Sequence, residues 1–385
     1  MTDPIRILYL VDSTVDSDRP TMAHLKRLAS GLDSLMFSPT VWAIRDNDEE
    51  VSGALPCACG GLNVKGNGFV ASLLARQRLG RVIRTGGFDL VCAYDVMARV
   101  IGLPAARSSG MQICLAAVRD MGESLSPRLL CALHRANAAA SRFVANAAAV
   151  AQRLVRQELV RRDQIDVIPD GIDLAAIPAR NAETHADAKH RLGLSLHQPV
   201  ILLDAPFDRV QDHPTFIASI AHLREFHPNA RFVILGTGPE TLRNEIVQEG
   251  ERLGVSPLII LTSDSHLRQL WYQAADVSVQ TSLLEGCSPA LLYSMATGVP
   301  TVAADAAGNS ELIVHGQTGY LFPARDPDAL AMRIHLLLAA RDVAAEFAEA
   351  GQRRVRDEYA ASLEVRRFTD YYRSLVYSRI GEQLA

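Results

Sequence analysis

No stretch of the 385 residues reaches the roughly eighteen uninterrupted apolar side chains needed to cross a bilayer. A spanning helix is therefore not expected. Positive charge is not in excess either. The 39 Lys and Arg stand against 43 Asp and Glu, for a formal net charge of −4, which argues against a general nucleic-acid binder. The first residues, Met1-Thr2-Asp3-Pro4, carry no basic region before an apolar core, so no signal peptide is expected and a cytoplasmic location is the default. The six cysteines (57, 59, 92, 114, 131 and 287) are scattered without a disulfide framework. Cys57-Ala-Cys59 is the one close pair, and no His or Cys cluster nearby completes a metal site, so no metal is expected. With 48% hydrophobic and 21% charged residues, the chain has material for two cores.

Apolar runs of strand length alternate with longer amphipathic segments. Ile5–Val11, Thr40–Ile44, Phe88–Tyr94, Gln112–Val118, Arg142–Ala145 and Asp166–Ile168 read as strands. Met22–Leu32, Val70–Arg84, Val96–Ala106, Pro127–Ala139 and Ala147–Val160 read as the helices between them. Continuous apolar strands separated by helices predict a parallel sheet covered on both faces, with ligands at the carboxyl ends of its strands. A polar stretch follows, and a second series begins at Pro199: Val200–Asp204, Arg231–Leu235, Leu258–Thr262, Val277–Thr281 and Thr301–Ala304. The expected architecture is α/β, two Rossmann-like doubly wound domains facing across a cleft. The expected boundaries are 1–178 for the first domain, 179–198 for a linker, 199–343 for the second domain and 344–385 for C-terminal helices that brace the first.

Three local features carry chemistry. Gly236-Thr-Gly238-Pro239 follows a strand and opens a helix, where glycines admit a ligand and free N–H groups face an anion. A plain tight turn explains the pair equally well, since no third glycine follows. In Glu285-Gly286-Cys287-Ser288-Pro289, Ser288 suits the helix N-cap and Pro289 the first helical position. Glu285 there either bonds sugar hydroxyls while the amides receive phosphate, or simply complements the helix dipole. Between Val51 and Arg119, basic residues outnumber acids, and Arg76, Arg81 and Arg84 share a helix face. That face is either solvated or meets an anionic lipid surface.

The segment Glu285–Phe322 resembles the donor-site region of the retaining GT-B glycosyltransferases of group 1, family 4. The matching pieces are Glu285-Gly286, Met295-Ala-Thr-Gly298-Val-Pro300, Gly308-Asn-Ser-Glu311 and His315-Gly-Gln-Thr-Gly319. Val167-Ile-Pro-Asp-Gly171, Asp212-His-Pro-Thr215, Gly236-Thr-Gly238-Pro239 and Ala274-Ala-Asp276 extend the likeness over nearly the whole chain. The resemblance implies transfer of a sugar from a nucleotide diphosphate sugar to a glycan, lipid-linked or small-molecule acceptor. It implies retention at the anomeric carbon and no cofactor or metal. It assigns donor binding to Gly236, Gly238, Glu285, Gly286, Cys287, Ser288 and the position of Tyr293, and acceptor binding to Arg119 and Asp120 of the segment Arg119-Asp-Met-Gly122. Peripheral contact with an anionic membrane would use Arg76, Arg81 and Arg84.

The chain departs from that pattern in four places. Tyr293 stands where a ribose-binding glutamate is usual, and a phenol lacks a carboxylate's paired acceptors. Pro206 and Gln211 stand where a basic pair stabilises the diphosphate, leaving Arg209 between them as the candidate cation. Asp12–Ser30 contains no glycine, and Cys92 and Tyr94 occupy positions where histidines are common. Two functions follow: a glycosyltransferase with a remodelled donor site using Glu285 and Arg209, or a catalytically impaired GT-B protein acting as a binding partner or glycan-binding module. A sugar-nucleotide epimerase fits the matched segments less well.

Overall fold

The computed structural model describes residues 3–14, 20–66, 69–121 and 125–384. Gly122 therefore lies outside the described residues. The chain divides into two compact units, Met1–Gly171 with Ala361–Ala385, and Ile172–Ala360.

Unit 1 is built on β1 (Ile5–Val11), β2 (Phe37–Ala43), β3 (Ala58–Gly61), β4 (Leu90–Ala93), β5 (Ile113–Val118), β6 (Arg142–Ala145) and β7 (Ile165–Val167). All pair in parallel in the order β3-β2-β1-β4-β5-β6-β7. Helices α1 (Pro20–Gly31), α2 (Asp48–Val51), α3 (Phe69–Gly86), α4 (Val96–Ser108), α5 (Pro127–Asn137) and α6 (Ala148–Glu158) connect them. Alternate side chains of β1 feed two cores: Leu8 and Leu10 face the α3–α4 layer, while Ile7, Tyr9 and Val11 face the other. That is why these strands read as continuous apolar runs.

The short strand β3 was not anticipated from its sequence. Ala-Cys-Gly-Gly has no β-branched residue, yet the glycines are what let it pair. A Cβ on Gly60 would lie 2.7 Å from the Trp42 ring, and one on Gly61 would lie 2.3 Å from the Asp46 carbonyl oxygen. The Cys57 and Cys59 thiols interact at this edge. Bonding from Cys57 lowers Cys59 while the same bond and burial raise Cys57.

Unit 2 repeats the plan with β8 (Val200–Asp204), β9 (Arg231–Leu235), β10 (Ile259–Thr262), β11 (Val277–Gln280), β12 (Thr301–Ala304) and β13 (Tyr320–Phe322). They are parallel in the order β10-β9-β8-β11-β12-β13. Its helices are α7 (Ala182–Arg191), α8 (His213–Leu223), α9 (Glu240–Arg252), α10 (Arg268–Ala274), α11 (Pro289–Thr297), α12 (Asn309–Leu312), α13 (Pro327–Ala339) and α14 (Arg341–Glu358). The strand order reverses between β8 and β11, and such a switch point is where open α/β sheets bind ligands.

The expected boundaries need correction. Unit 2 begins at Ile172, and the stretch 179–198 is no linker. Its helix α7 packs on α10, and the buried Lys189 donates to Asp276 Oδ2 at 2.8 Å and to the Gln198 carbonyl at 2.8 Å. The C-terminal segment is split as well. Helix α14 belongs to unit 2, whereas α15 (Ala361–Leu384) belongs to unit 1 and lies against α1. Phe368, Tyr372 and Val376 of α15 enter the core beside Ile5, Ile7 and Tyr9. Gly31 ends α1 where Val365 comes so close that a Cβ would sit 2.7 Å from its methyl group.

Candidate functional site

At the switch point of unit 2, β11 ends in Gln280 and the chain runs through 281–288 into α11. Ser288 is fully buried and caps that helix, its Oγ accepting from the Leu291 N–H at 3.4 Å. Pro289 occupies the first turn, and Gly298 closes the helix at φ +78°. Glu285 is pinned just before the cap. Gln280 Nε2 donates to its Oε2 at 2.9 Å and Ser282 Oγ donates to the same oxygen at 2.8 Å. Gln280 Nε2 also reaches Ser288 Oγ at 3.2 Å, tying the carboxylate to the helix cap.

A second loop holds this one in place. The Gly308 N–H donates to the Glu285 carbonyl at 2.9 Å, and a Cβ on Gly308 would lie 1.6 Å from the Gly286 carbonyl oxygen. Asn309, fully buried, donates to the Ser282 carbonyl at 3.1 Å. Gln280, Ser282 and Asn309 thus fix Glu285, and of these the sequence reading touched only Asn309, within the piece Gly308-Asn-Ser-Glu311. The signal was present in the family-like Gly308-Asn-Ser-Glu311 piece, but its use as a clamp depends on a long-range contact. Burial raises the Glu285 carboxyl above its ordinary value, the Ser282, Ser288 and Gln280 bonds oppose that, and the Asp204 charge adds to the rise. The Cys287 side chain is buried in the cluster with Leu291, Met295 and Val355.

Beside this loop, β8 ends in the buried Asp204. Tyr272 donates to its Oδ2 at 2.9 Å, and Arg268 Nε lies 3.4 Å from the same oxygen. Burial raises the Asp204 carboxyl, with Arg268 and Tyr272 pulling it back. Tyr293 packs its ring on Tyr272 with centroids 4.5 Å apart, and burial raises its phenol. Arg268 was not foreseen, since nothing in the sequence links the start of α10 to the end of β8.

Other expected residues occupy the neighbouring loops. Gly236 and Gly238 are required by the chain itself: added Cβ atoms would lie 2.0 Å from the Ala205 carbonyl oxygen and 2.6 Å from that of Phe207. The Phe207 N–H donates to the Thr237 carbonyl at 2.8 Å, so the two loops are zipped together. Arg209 is 74% exposed and donates to Glu245 Oε1 on α9 at 2.7 Å, so its guanidinium is engaged by a surface carboxylate. Gln211 is buried, its carbonyl accepting from Thr281 Oγ1 at 2.5 Å.

Unit 1 also carries a polar cluster at its strand ends. Arg119 follows β5 with its side chain 8% exposed and ion-paired to Asp170, whose Oδ2 accepts from Asn146 Nδ2 at 2.8 Å. His24 of α1 bonds Glu364 of α15 through Nδ1 at 2.6 Å and Tyr94 through Nε2 at 2.9 Å. Arg27 Nε donates to Glu364 Oε2 at 2.6 Å. Burial and the Arg119 charge lower His24 to about 3, so the neutral ring donates from Nδ1 to Glu364 and accepts from the Tyr94 hydroxyl. Burial alone would raise Glu364, but His24 and Arg27 hold it well below the usual carboxylate range.

Among the described residues, His24, Asp170 and Glu364 form the one grouping with metal-ligand atoms within 4.8 Å of one another. Two guanidiniums already neutralise its carboxylates and would repel a cation. Arg119 is therefore a buried structural cation, while Asp120 beside it is exposed. On α3, Arg76, Arg81 and Arg84 are exposed together with Leu73 and Leu74. Arg76 donates to the Val100 carbonyl at 3.1 Å and Arg84 to Ser109 Oγ at 3.3 Å. No helix among the described residues is long and apolar enough to cross a membrane.

Comparison with known proteins places this geometry in a family. Residues 198–340 match the Glycosyl transferases group 1 family, and residues 23–176 match Glycosyltransferase Family 4. A D-inositol 3-phosphate glycosyltransferase of Xylanimonas cellulosilytica is 30% identical over 210 residues, 52% of this chain and 49% of that protein. One from Streptomyces scabiei is 28% identical over 254 residues, 64% of this chain and 54% of that protein. The chain spans about half the length of these curated relatives. Among solved structures, Anabaena HepE in complex with UDP and glucose superposes with a TM-score of 0.82 at 19% identity, over 96% of this chain and all of that one. The sucrose-phosphate synthase of Thermosynechococcus elongatus gives a TM-score of 0.81 at 18% identity, over 97% of this chain and 100% of the other. The chain belongs to the group 1, family 4 glycosyltransferases of GT-B fold.

Proposed function

We propose that the protein transfers a sugar from a nucleotide diphosphate sugar to a hydroxyl acceptor, with retention at the anomeric carbon and without a metal ion. The observation that carries this reading is the Glu285 carboxylate, locked by Gln280 and Ser282 beside the Ser288-capped start of α11. In this reading Glu285 accepts hydrogen bonds from donor-sugar hydroxyls. The positive end of the α11 dipole takes up the charge that develops on the leaving diphosphate. Two cationic side chains fewer than the family pattern are available there, which makes the helix terminus the principal electrostatic contributor.

The acceptor side falls to Asp120, held next to the Arg119–Asp170 pair. A phosphate-bearing polyol, as the names of the curated relatives suggest for those proteins, would have to compete with Asp170 for Arg119. A neutral sugar or lipid-linked hydroxyl meets no such competition. The same reading puts the protein in the cytoplasm, touching anionic membrane through Arg76, Arg81 and Arg84, with Leu73 and Leu74 entering the lipid interface.

Calorimetry against UDP, GDP and ADP and their glucose, galactose and N-acetylglucosamine conjugates tests the donor site. One of them should bind in the micromolar to millimolar range, and no binding by any would remove the transferase reading in favour of a binding module. Flotation with anionic vesicles tests the basic face: charge reversal at Arg76, Arg81 and Arg84 should abolish it, and unchanged flotation would return that face to solvent.

A further inference from the structure

Cys57-Ala-Cys59 has no part in either strand-end cluster, yet it stands apart from the other thiols of unit 1. Cys92 and Cys114 are buried in its two cores, and burial pushes them up to about 12 and about 11, as expected of inert packing thiols. Cys57 and Cys59 are only half-buried, at the entry to β3, with Pro56 and Ala58 exposed beside them. Their thiols are bonded to each other. As a thiol, Cys59 donates to the Cys57 carbonyl at 3.4 Å. As a thiolate it accepts from the Cys57 thiol and the Leu55 N–H, and that bonding lowers it to about 7 against the pull of burial. Cys57 is held up by the same bond, by burial and by the Cys59 charge. The backbone permits closure. Cα atoms two residues apart lie at most about 7 Å apart in an extended chain, and a disulfide needs about 4.4–6.8 Å. Cys57 sits in the bend that leads into β3, before extended pairing begins at Ala58, which shortens the separation. Since β3 is the outermost strand of its sheet, closure has only the ladder to Thr40 and Val41 of β2 to respect.

We propose that Cys57 and Cys59 are a redox pair, which a small-molecule disulfide of the glutathione type converts to an intramolecular disulfide. The inference stands apart from the donor reading. The first step belongs to Cys59. Its thiolate attacks one sulfur of the small disulfide, that S–S bond breaks, and one small thiolate leaves. Cys57 then gives up its proton and attacks the Cys59 sulfur, expelling the second small thiolate. The pair loses two electrons and two protons; the small disulfide gains both and becomes two thiols. Cys57 is suited to act second. Two of the three influences that hold its proton, the bond to Cys59 and the Cys59 charge, vanish when Cys59 enters the mixed disulfide. In a reducing compartment such a bridge is transient and reports the poise of its surroundings.

The test uses the full chain carrying Cys131→Ser, which removes the exposed thiol of α5 from the readout. The reduced protein is exposed to excess glutathione disulfide, its remaining thiols are alkylated, and intact mass and peptide mapping follow. The peptide bearing Cys57 and Cys59 should lose the mass of two hydrogens, carry neither alkyl group nor glutathione, and return to its reduced mass with dithiothreitol. Cys57→Ala should instead trap one glutathione on Cys59, and Cys59→Ala should react about tenfold more slowly. The alkylation rate of Cys59 against pH gives a readout that packing alone would not move. The profile should bend at about 7 with Cys57 present and shift up toward about 8.5 in Cys57→Ala. A peptide that keeps two alkylatable thiols after glutathione disulfide treatment overturns the inference. So does glutathione left bound while Cys57 is present, or a pH profile that Cys57→Ala leaves in place. The first arm changes neither member of the pair, so it decides even where a variant fails to fold.

Discussion

The two units share one architecture and use the same place in it differently. Each parallel sheet ends in a polar cluster where its strand order reverses. In unit 1 the cluster is internally balanced: Arg27 and Arg119 face Glu364 and Asp170, and neutral His24 links Glu364 to Tyr94. In unit 2 the carboxylates of Glu285 and Asp204 are held mainly by neutral donors, Gln280, Ser282 and Tyr272, and the one guanidinium is half exposed. The first arrangement suits a lock that holds α15 to α1. The second leaves charge to be answered by a ligand. A strand-end cluster in a doubly wound sheet is thus no site until its charge balance is known.

The contrast breaks most sharply at Glu364. Replacing it with alanine leaves Arg27 and the His24 Nδ1–H without their acceptor and should destabilise unit 1 by about 3–5 kcal/mol. Urea denaturation would report the loss, and hydrogen exchange would localise it to α1 and α15. Nucleotide affinity should stay within about twofold in protein that remains folded. A tenfold change there would mean that the unit 1 lock and the unit 2 pocket are energetically linked, and the division of roles would fail.

The mirror experiment is Glu285→Gln. The side chain keeps its volume but loses its charge, and turnover should fall by about 10²–10³, corresponding to roughly 3–4 kcal/mol of transition-state stabilisation. Thermal midpoint should shift by no more than about 2–4 °C, since about 1 kcal/mol or less of folding energy is at stake. Turnover within a few-fold of the parent would remove Glu285 from the reaction.

Acid separates the two clusters by sign. His24 is lowered to about 3 in the folded protein, so the unfolded chain takes up its proton first as pH falls below about 6.5. Stability is lost between those values, by up to about 1.4 kcal/mol per pH unit. Glu364 is also lowered, and its contribution, present above the ordinary glutamate value, is lost as pH falls further through its folded value. Glu285 and Asp204 are raised, so the folded state binds their protons first and their burial penalty is relieved on acidification. Chemical denaturation from pH 7 to pH 4 should show unit 1 weakening, and His24→Gln should flatten its slope by one proton. An unchanged slope in that variant would place the acid sensitivity elsewhere.

How much of this was legible in advance follows from range. The strands β1, β6, β8, β9 and β12 have the bounds that their apolar runs predict, because burial on both faces is written into consecutive residues. The Ser288-Pro289 helix start was equally local. The glycine-bearing strand β3 was not, since its pairing depends on Trp42 and Asp46 rather than on its own propensity. The same holds for Lys189, whose partner Asp276 turns an expected linker into part of unit 2, and for Arg268, which meets Asp204 from 64 residues away. Sequence exposes residue types at a strand end; which charges are already answered there depends on contacts between distant segments.

Arg209 gives the finest test of the comparison. It lies between Pro206 and Gln211, where the family pattern leads one to expect cations, and sequence position alone recommends it for the diphosphate. Its guanidinium is 74% exposed and paired with Glu245, and an exposed pair of that kind contributes only about 0–1 kcal/mol. Arg209→Ala should therefore change nucleotide affinity by less than about threefold. Calorimetry on Arg209→Ala beside the parent protein makes the measurement. If Arg209→Ala instead costs turnover a hundredfold while leaving substrate affinity intact, the side chain leaves Glu245 as charge develops on the leaving phosphate. The unit 2 cluster would then gain its missing cation only in the transition state.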